Sequence, residues 1–164
     1  MHLTAPAEVE LEDSTAKVGR WLDQRNKIPA ANTNESAEAA KDHFIRRNGI
    51  EFAGTHLLLD LWGASHLDDI GYIEQAMHDI VSACGATLLH IHLHHFSPSG
   101  GVSGVAVLAE SHISVHTWPE RDYAAFDVFM CGDAQPENAI PVLKRAFFPR
   151  RIEVSEELRG RTLI

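Results

Sequence analysis

Between residues 86 and 130 four strand-length stretches follow one another with only short connections, and nothing else in the chain constrains its fold as much. Residues 86–96 alternate, with Leu89, Ile91 and Leu93 on one face; Val102 to Leu108 and His112 to Thr117 alternate again; Tyr123 to Met130 makes a fourth run. Period-two patterning of this kind belongs to strands with one buried face. Connections of a few residues, such as the turn SPSGG from Ser97 to Gly101, join antiparallel neighbours and are too short for the helical crossover that parallel strands need. Upstream, THLLLDLW (Thr55 to Trp62) reads as another strand. Asp68 and Asp69 then precede an amphipathic helix in which Ile73, Ala76, Met77, Ile80, Val81 and Cys84 recur at three and four, with Gly85 at its end. Downstream, Pro136 to Phe148 is helical in part if Pro141 falls in the first turn, and Arg151 to Val154 closes with a strand. So few helices cover one face of such a sheet. The expected class is α+β: a two-layer sandwich, mainly antiparallel, with its second face left to solvent or a partner.

Composition narrows the function classes. A chain of 164 residues, 45% hydrophobic and 23% charged, suits one globular domain with a sizeable core. Its net charge of -9 argues against a nucleic-acid or anionic-membrane surface and suits a cationic small molecule. No apolar run reaches the roughly 20 residues of a membrane span. MHLTAPAEVELED lacks the basic start and apolar centre of a secretory signal, so the expected compartment is cytoplasmic. Residues 1–48 are polar and read as an extension with two short helical patterns, Ser14 to Asn26 and Glu35 to Asn48, the second capped by Asn34 and ended by Gly49. Residues 49–164 form the expected domain. Two cysteines are too few for a disulfide framework. Cys84 reads as a core thiol, whereas Cys131, at a strand end in FMCGD, is open to a reactive role.

Chemistry concentrates in AESHISVHTWPE, residues 109–120, where Glu110, Ser111, His112, His116 and Glu120 crowd onto a half-buried strand. A serine hydrolase is one reading, but the G-x-S-x-G elbow is absent; Gly101-Val102-Ser103-Gly104 has the wrong spacing. A second cluster, HIHLHHF, puts His90, His92 and His94 on one strand face beside His95. Imidazoles so spaced can share a metal, and a histidine-rich metal-binding module is the alternative from a different class; no nearby carboxylate or cysteine completes a ligand set.

Taken whole, SGVAVLAESHISVHTWPERDYAAFDVFMCG resembles the short prokaryotic form of the S-adenosylmethionine decarboxylase family, from about Gly54 to Val154. The resemblance implies a proenzyme that cuts itself between Glu110 and Ser111. The Ser111 hydroxyl attacks the Glu110 carbonyl, and elimination then leaves a pyruvoyl group in place of Ser111. Ser103 matches the serine assisting the first step and His116 the base of the elimination. The pyruvoyl carbonyl forms a Schiff base with the substrate amine and takes up the charge left by carbon dioxide, as pyridoxal phosphate does elsewhere. Cys131 matches the proton donor. Phe52 and Phe96 match aromatic residues that stack on adenine, and Glu120 the carboxylate holding the ribose. The implied activity is a carboxy-lyase of polyamine (spermidine) biosynthesis, with no metal. The implied assembly is at least a dimer, its sheets packed face to face as α/β/β/α. One departure stands out: Gly100-Gly101 is a residue longer than the single glycine common in the family. An altered loop there bears on substrate choice, and some relatives of the superfamily act on ornithine or arginine.

Overall fold

The computed structural model describes residues 44–109 and 111–163. Strands β1 (Ile45–Arg47) and β2 (Ile50–Phe52) lead into β3 (Gly54–Trp62). Helix α1 (Ile70–Ala83) follows, then β4 (Leu88–His95), β5 (Val102–Leu108), β6 (His112–Trp118) and β7 (Tyr123–Met130). Helix α2 (Ala139–Phe147), β8 (Arg151–Arg159) and β9 (Thr162–Leu163) complete the chain. The main sheet has the order β4-β5-β6-β7-β3-β8, and every pairing in it is antiparallel.

Both helices pack on one face, so the two-layer α+β expectation holds. Each strand contributes alternate residues to that core: Leu57, Leu59 and Leu61 from β3; Ile113 and Val115 from β6; Phe126, Val128 and Met130 from β7. Helix α1 answers with Ile73, Met77 and Ile80, all fully buried; each such side chain contributes about 1.5–3 kcal/mol relative to exposure. Asp69 caps α1 by accepting from the Tyr72 N–H at 3.0 Å. At the other end the Ala86 N–H donates to Val81 O and the Gly85 N–H to Ser82 O, closing the turn. Pro141 sits in the first turn of α2, where its missing N–H breaks no helical hydrogen bond. Cys84 is buried in this core.

Four expectations change. The second N-terminal helical pattern ends in a hairpin instead: Ile45 pairs with Phe52, and Gly49, at φ +75°, makes the turn. Strand β1 therefore lies on the extension side of the expected boundary at 48, while the Ser14 to Asn26 pattern lies outside the described residues. The hairpin and β9 form a separate three-stranded sheet that hydrophobic patterning did not announce. In β4 a register shift between Leu88 and His90 turns Leu89 outward, so it does not share the face of Ile91 and Leu93. Strand β8 runs on to Arg159, because β3 offers it a full-length partner, Trp62↔Arg151 through Gly54↔Arg159.

None of the described elements covers the sheet's second face. It carries His90, His92 and His94 from β4 and Ser103, Val105 and Val107 from β5. Strand β6 adds His112, Ser114, His116 and Trp118, and β7 adds Tyr123, Asp127 and Phe129. His56, Leu58, Asp60 and Trp62 from β3 complete it toward β8. Among the described residues no group of three His, Cys, Asp or Glu side chains converges as a metal-holding set.

Candidate active site

The serine of the motif immediately precedes β6, and its second histidine, His116, lies toward that strand's far end. The connection from β5 to β6 is tight, with the Leu108 N–H donating to Ser111 O at 2.9 Å. That turn drives the Ser111 hydroxyl into the structure, where its oxygen is buried without a hydrogen-bond partner. Among the described residues only one other buried side-chain polar atom lacks a partner, Nε2 of His56. Both lie at the same end of the sheet. His56 pairs across the sheet with Phe129, and Phe129 with His112, the residue after Ser111. The three rings cluster with centroids 5.6–6.1 Å apart.

Cys131 follows the last residue of β7, one step beyond the pair Thr55↔Met130, and is half-buried. It thus stands at the Ser111 end, a strand away. His56 is held below the usual imidazole range, first by burial and then by Arg159 and His112, against the opposing pull of Asp127. Its Nδ1 accepts a hydrogen bond from the Arg159 guanidinium at 3.2 Å. Because a guanidinium only donates, the ring is neutral with its proton on Nε2. Asp127 Oδ1 is 4.0 Å from that nitrogen, too far for a hydrogen bond, and its other oxygen accepts from the Ser114 hydroxyl at 2.7 Å.

At the opposite end, Ser103 and His116 face each other across β5 and β6, with Ser103 Oγ 2.8 Å from His116 Nδ1. Beside them is a cavity of about 250 Å³ lined by Phe96, Ser99, Gly101, Ser103, Thr117, Trp118 and Glu120. Thr117 braces its floor: its buried hydroxyl donates to Leu67 O at 2.7 Å and accepts from the Val102 N–H at 2.8 Å. The Gly100-Gly101 loop forms the rim. Gly100 has φ +76°, and a Cβ at Gly101 would lie 2.8 Å from Thr117 O, so neither position tolerates a side chain without distortion. An aromatic row continues from the cavity, with Trp118 5.2 Å from Tyr123 and Tyr123 4.4 Å from Trp62. The Tyr123 hydroxyl donates to Asp60 Oδ1. Burial first, and the Asp60 hydrogen bond and charge next, push this phenol up to about 12.

Of the residues read from the sequence, Ser111 and Cys131 share one end of the sheet; Ser103, His116, Phe96 and Glu120 share the other. Phe52 belongs to neither: its ring is buried in the small sheet with the Arg47 guanidinium 5.4 Å above it. Glu110 lies outside the described residues. Sequence reasoning missed Trp118, which sits inside the motif but reads as a strand-end aromatic, and His56, whose only signal is a polar residue amid THLLLDLW.

The fold and these two ends define a class: a two-layer α+β protein with a buried, unpartnered serine just before a central strand and a serine–histidine pair toward that strand's far end. The sequence model of the S-adenosylmethionine decarboxylase family matches residues 55–160, and the chain belongs to that family. It is 48% identical over 108 residues to the S-adenosylmethionine decarboxylase proenzyme of Thermomicrobium roseum, covering 65% of this chain and 93% of that relative. With the proenzyme of Methanococcus maripaludis it shares 51% identity over 110 residues, covering 65% and 89%. The crystal structure of the adenosylmethionine decarboxylase from Aquifex aeolicus is similar in fold, with a TM-score of 0.59 at 33% identity, over 66% of this chain and 92% of that one.

Proposed function

We propose that this chain is an S-adenosylmethionine decarboxylase, made as a proenzyme that cuts itself between Glu110 and Ser111 and works with a pyruvoyl group derived from Ser111. The observation that carries this reading is the buried, unpartnered Ser111 hydroxyl in a family member. Leaving such a group unsatisfied costs about 1–3 kcal/mol, and sites of chemistry are where that cost is tolerated. The residues around it suit the group: a buried oxygen at a tight turn, aromatic rings beside it, and a thiol one strand away. When present, a pyruvoyl group supplies an electron sink for the charge left by departing carbon dioxide.

The chain's own groups divide the remaining work. Cys131 delivers a proton from its thiol to the carbon that has lost carbon dioxide. His116 serves the cutting step as a base if Nδ1 donates to Ser103 Oγ, which leaves Nε2 bare to accept a proton. The Ser103 hydroxyl hydrogen is then available to the oxyanion formed from the Glu110 carbonyl.

Distance decides how these parts meet. Ser111 and His116 are five residues apart on extended chain, roughly 16 Å at 3.3 Å per residue, so no imidazole bridges them within one copy. A second copy packed on the open face, with its two-fold axis running across the strands near Ser114, brings the Ser103–His116 pair of each chain over Ser111 of the other. Leu58, Trp62, Val105, Val107 and Trp118 are all exposed on that face, which favours its burial against an identical sheet. The resulting dimer has four layers, α/β/β/α. The Phe96, Trp118 and Glu120 cavity then lies beside the reactive end of the partner, with flat rings for a purine and a carboxylate for ribose hydroxyls.

Denaturing mass spectrometry tests the first half. Two fragments meeting at the 110–111 bond, the second beginning with pyruvoyl, are expected; a chain still intact after long incubation overturns the reading. Carbon dioxide release from S-adenosylmethionine, ornithine and arginine in parallel tests the second half, since the lengthened Gly100-Gly101 rim borders the cavity. Release from ornithine or arginine alone would reassign the substrate.

A further inference from the structure

We propose that Arg159 is a positioning residue for the reactive end: held across Gly54 by His56, its guanidinium sets the proton affinity of the Cys131 thiol. The inference rests on reading Cys131 as the proton donor and goes on to say what tunes it.

The register carries the argument. On β3, Gly54 pairs with Arg159 of β8 on one side, and on the other it faces the position just beyond Thr55↔Met130, which is that of Cys131. Arg159, Gly54 and Cys131 therefore form one row across three strands, and its middle member has no side chain. A Cβ at Gly54 would lie 3.0 Å from Cys131 Sγ, 2.9 Å from Phe129 Cε2 and 2.6 Å from Met130 O. The sulfur thus occupies the space above β3 that a side chain at position 54 would fill. Arg159 reaches the same strand from the opposite side, its Nη1 3.2 Å from Nδ1 of His56, two residues along from Gly54. Gly54 leaves the thiol room over β3, the same strand whose His56 holds the Arg159 guanidinium.

Charge and chemistry give this row a task. Burial raises a thiol's pKa, and a nearby cation lowers it; a general acid works best when its pKa is close to ambient pH. Titratable groups near this end among the described residues include His56 on β3, His112 on β6, Asp127 on β7, Glu157 on β8 and Asp133, two residues beyond Cys131. His56 is neutral. Glu157 pairs with His56, one row further in, and Asp127 is four residues from Cys131 on β7. Arg159 is the cation in the thiol's own row, and its bond to a neutral imidazole fixes its place without cancelling its charge.

The test reads the thiol and not the turnover. On the processed protein, the pH dependence of iodoacetamide alkylation at Cys131 is followed by mass spectrometry for wild type, Arg159→Met, Arg159→Lys and His56→Phe. Cys84 stays silent, because it is buried and its thiol is pushed up to about 11; Cys131→Ser supplies the blank. Arg159→Met is expected to raise the apparent pKa of Cys131 by about one unit or more, Arg159→Lys to restore part of the shift, and His56→Phe to move it the same way by less. An Arg159→Met curve superimposable on wild type overturns the proposal, as does Arg159→Lys behaving like Arg159→Met. Failure of wild type to cut or to release carbon dioxide would count against the proposed function instead.

Discussion

At one end of the open face the polar groups are matched: Ser103 meets His116 at 2.8 Å, and the cavity beside them is open to solvent. At the other end they are not: the Ser111 hydroxyl and His56 Nε2 are buried with nothing to bond. The same strand, β6, supplies both ends. The paired end holds its imidazole in one orientation, as the proposed base requires. In the proposed function, the unpaired end holds groups whose partners arrive with the chemistry, a carbonyl to attack or a substrate to bind. Neither end is sufficient, and extended chain keeps them apart.

The comparison breaks most completely at Ser111. Ser111→Ala should abolish cutting altogether, leaving one full-length chain by denaturing mass spectrometry and no carbon dioxide release. His116→Ala should slow cutting by about 10²–10⁴-fold. If the partner supplies this base, co-expressing His116→Ala with Ser111→Ala chains should restore cutting in mixed dimers; no rescue would place both ends in one copy. Cys131→Ala should separate the two activities, cutting as wild type does while decarboxylation falls about 10²-fold or more.

Smaller effects sharpen the paired end. Trp118→Ala removes one wall of the cavity and should raise KM for the substrate about tenfold with little change in kcat, by steady-state assay; an unchanged KM would remove Trp118 from the binding site. The smallest effect concerns Tyr123. Its phenol is held neutral up to about 12, above its ordinary value of 10, so its stabilising contribution is full below pH 10 and is lost as pH rises through 12. Thermal melts should show wild type losing stability across that window. Tyr123→Phe should be less stable by about 1 kcal/mol at neutral pH, with a flatter alkaline limb.

Much of this was legible in the order of residues. Alternation in residues 86–96 and 112–117, with strand-length runs at β3, β5 and β7 and short connections between most of them, gave the antiparallel sheet; Asp69 and Gly85 marked the ends of α1 for equally local reasons. What stayed hidden depends on partners distant in sequence. The strand at Ile45–Arg47 sits inside a helical pattern because pairing with Ile50–Phe52 overrode weak local preference. Leu89 left its face through a bulge that no alternation announces.

The feature with most consequence divides in the same way. Sequence by itself determined that residues 110–120 carry Ser111, His116 and a motif resembling the family's, since those are identities in a line. Only the tertiary structure decided that Ser111 and His116 stand roughly 16 Å apart, that Phe96, Trp118 and Glu120 share one cavity, and that Cys131 and Arg159 flank Gly54 from either side. A rigid extended strand separates neighbours in sequence, and the sheet's register brings together residues that the chain keeps far apart.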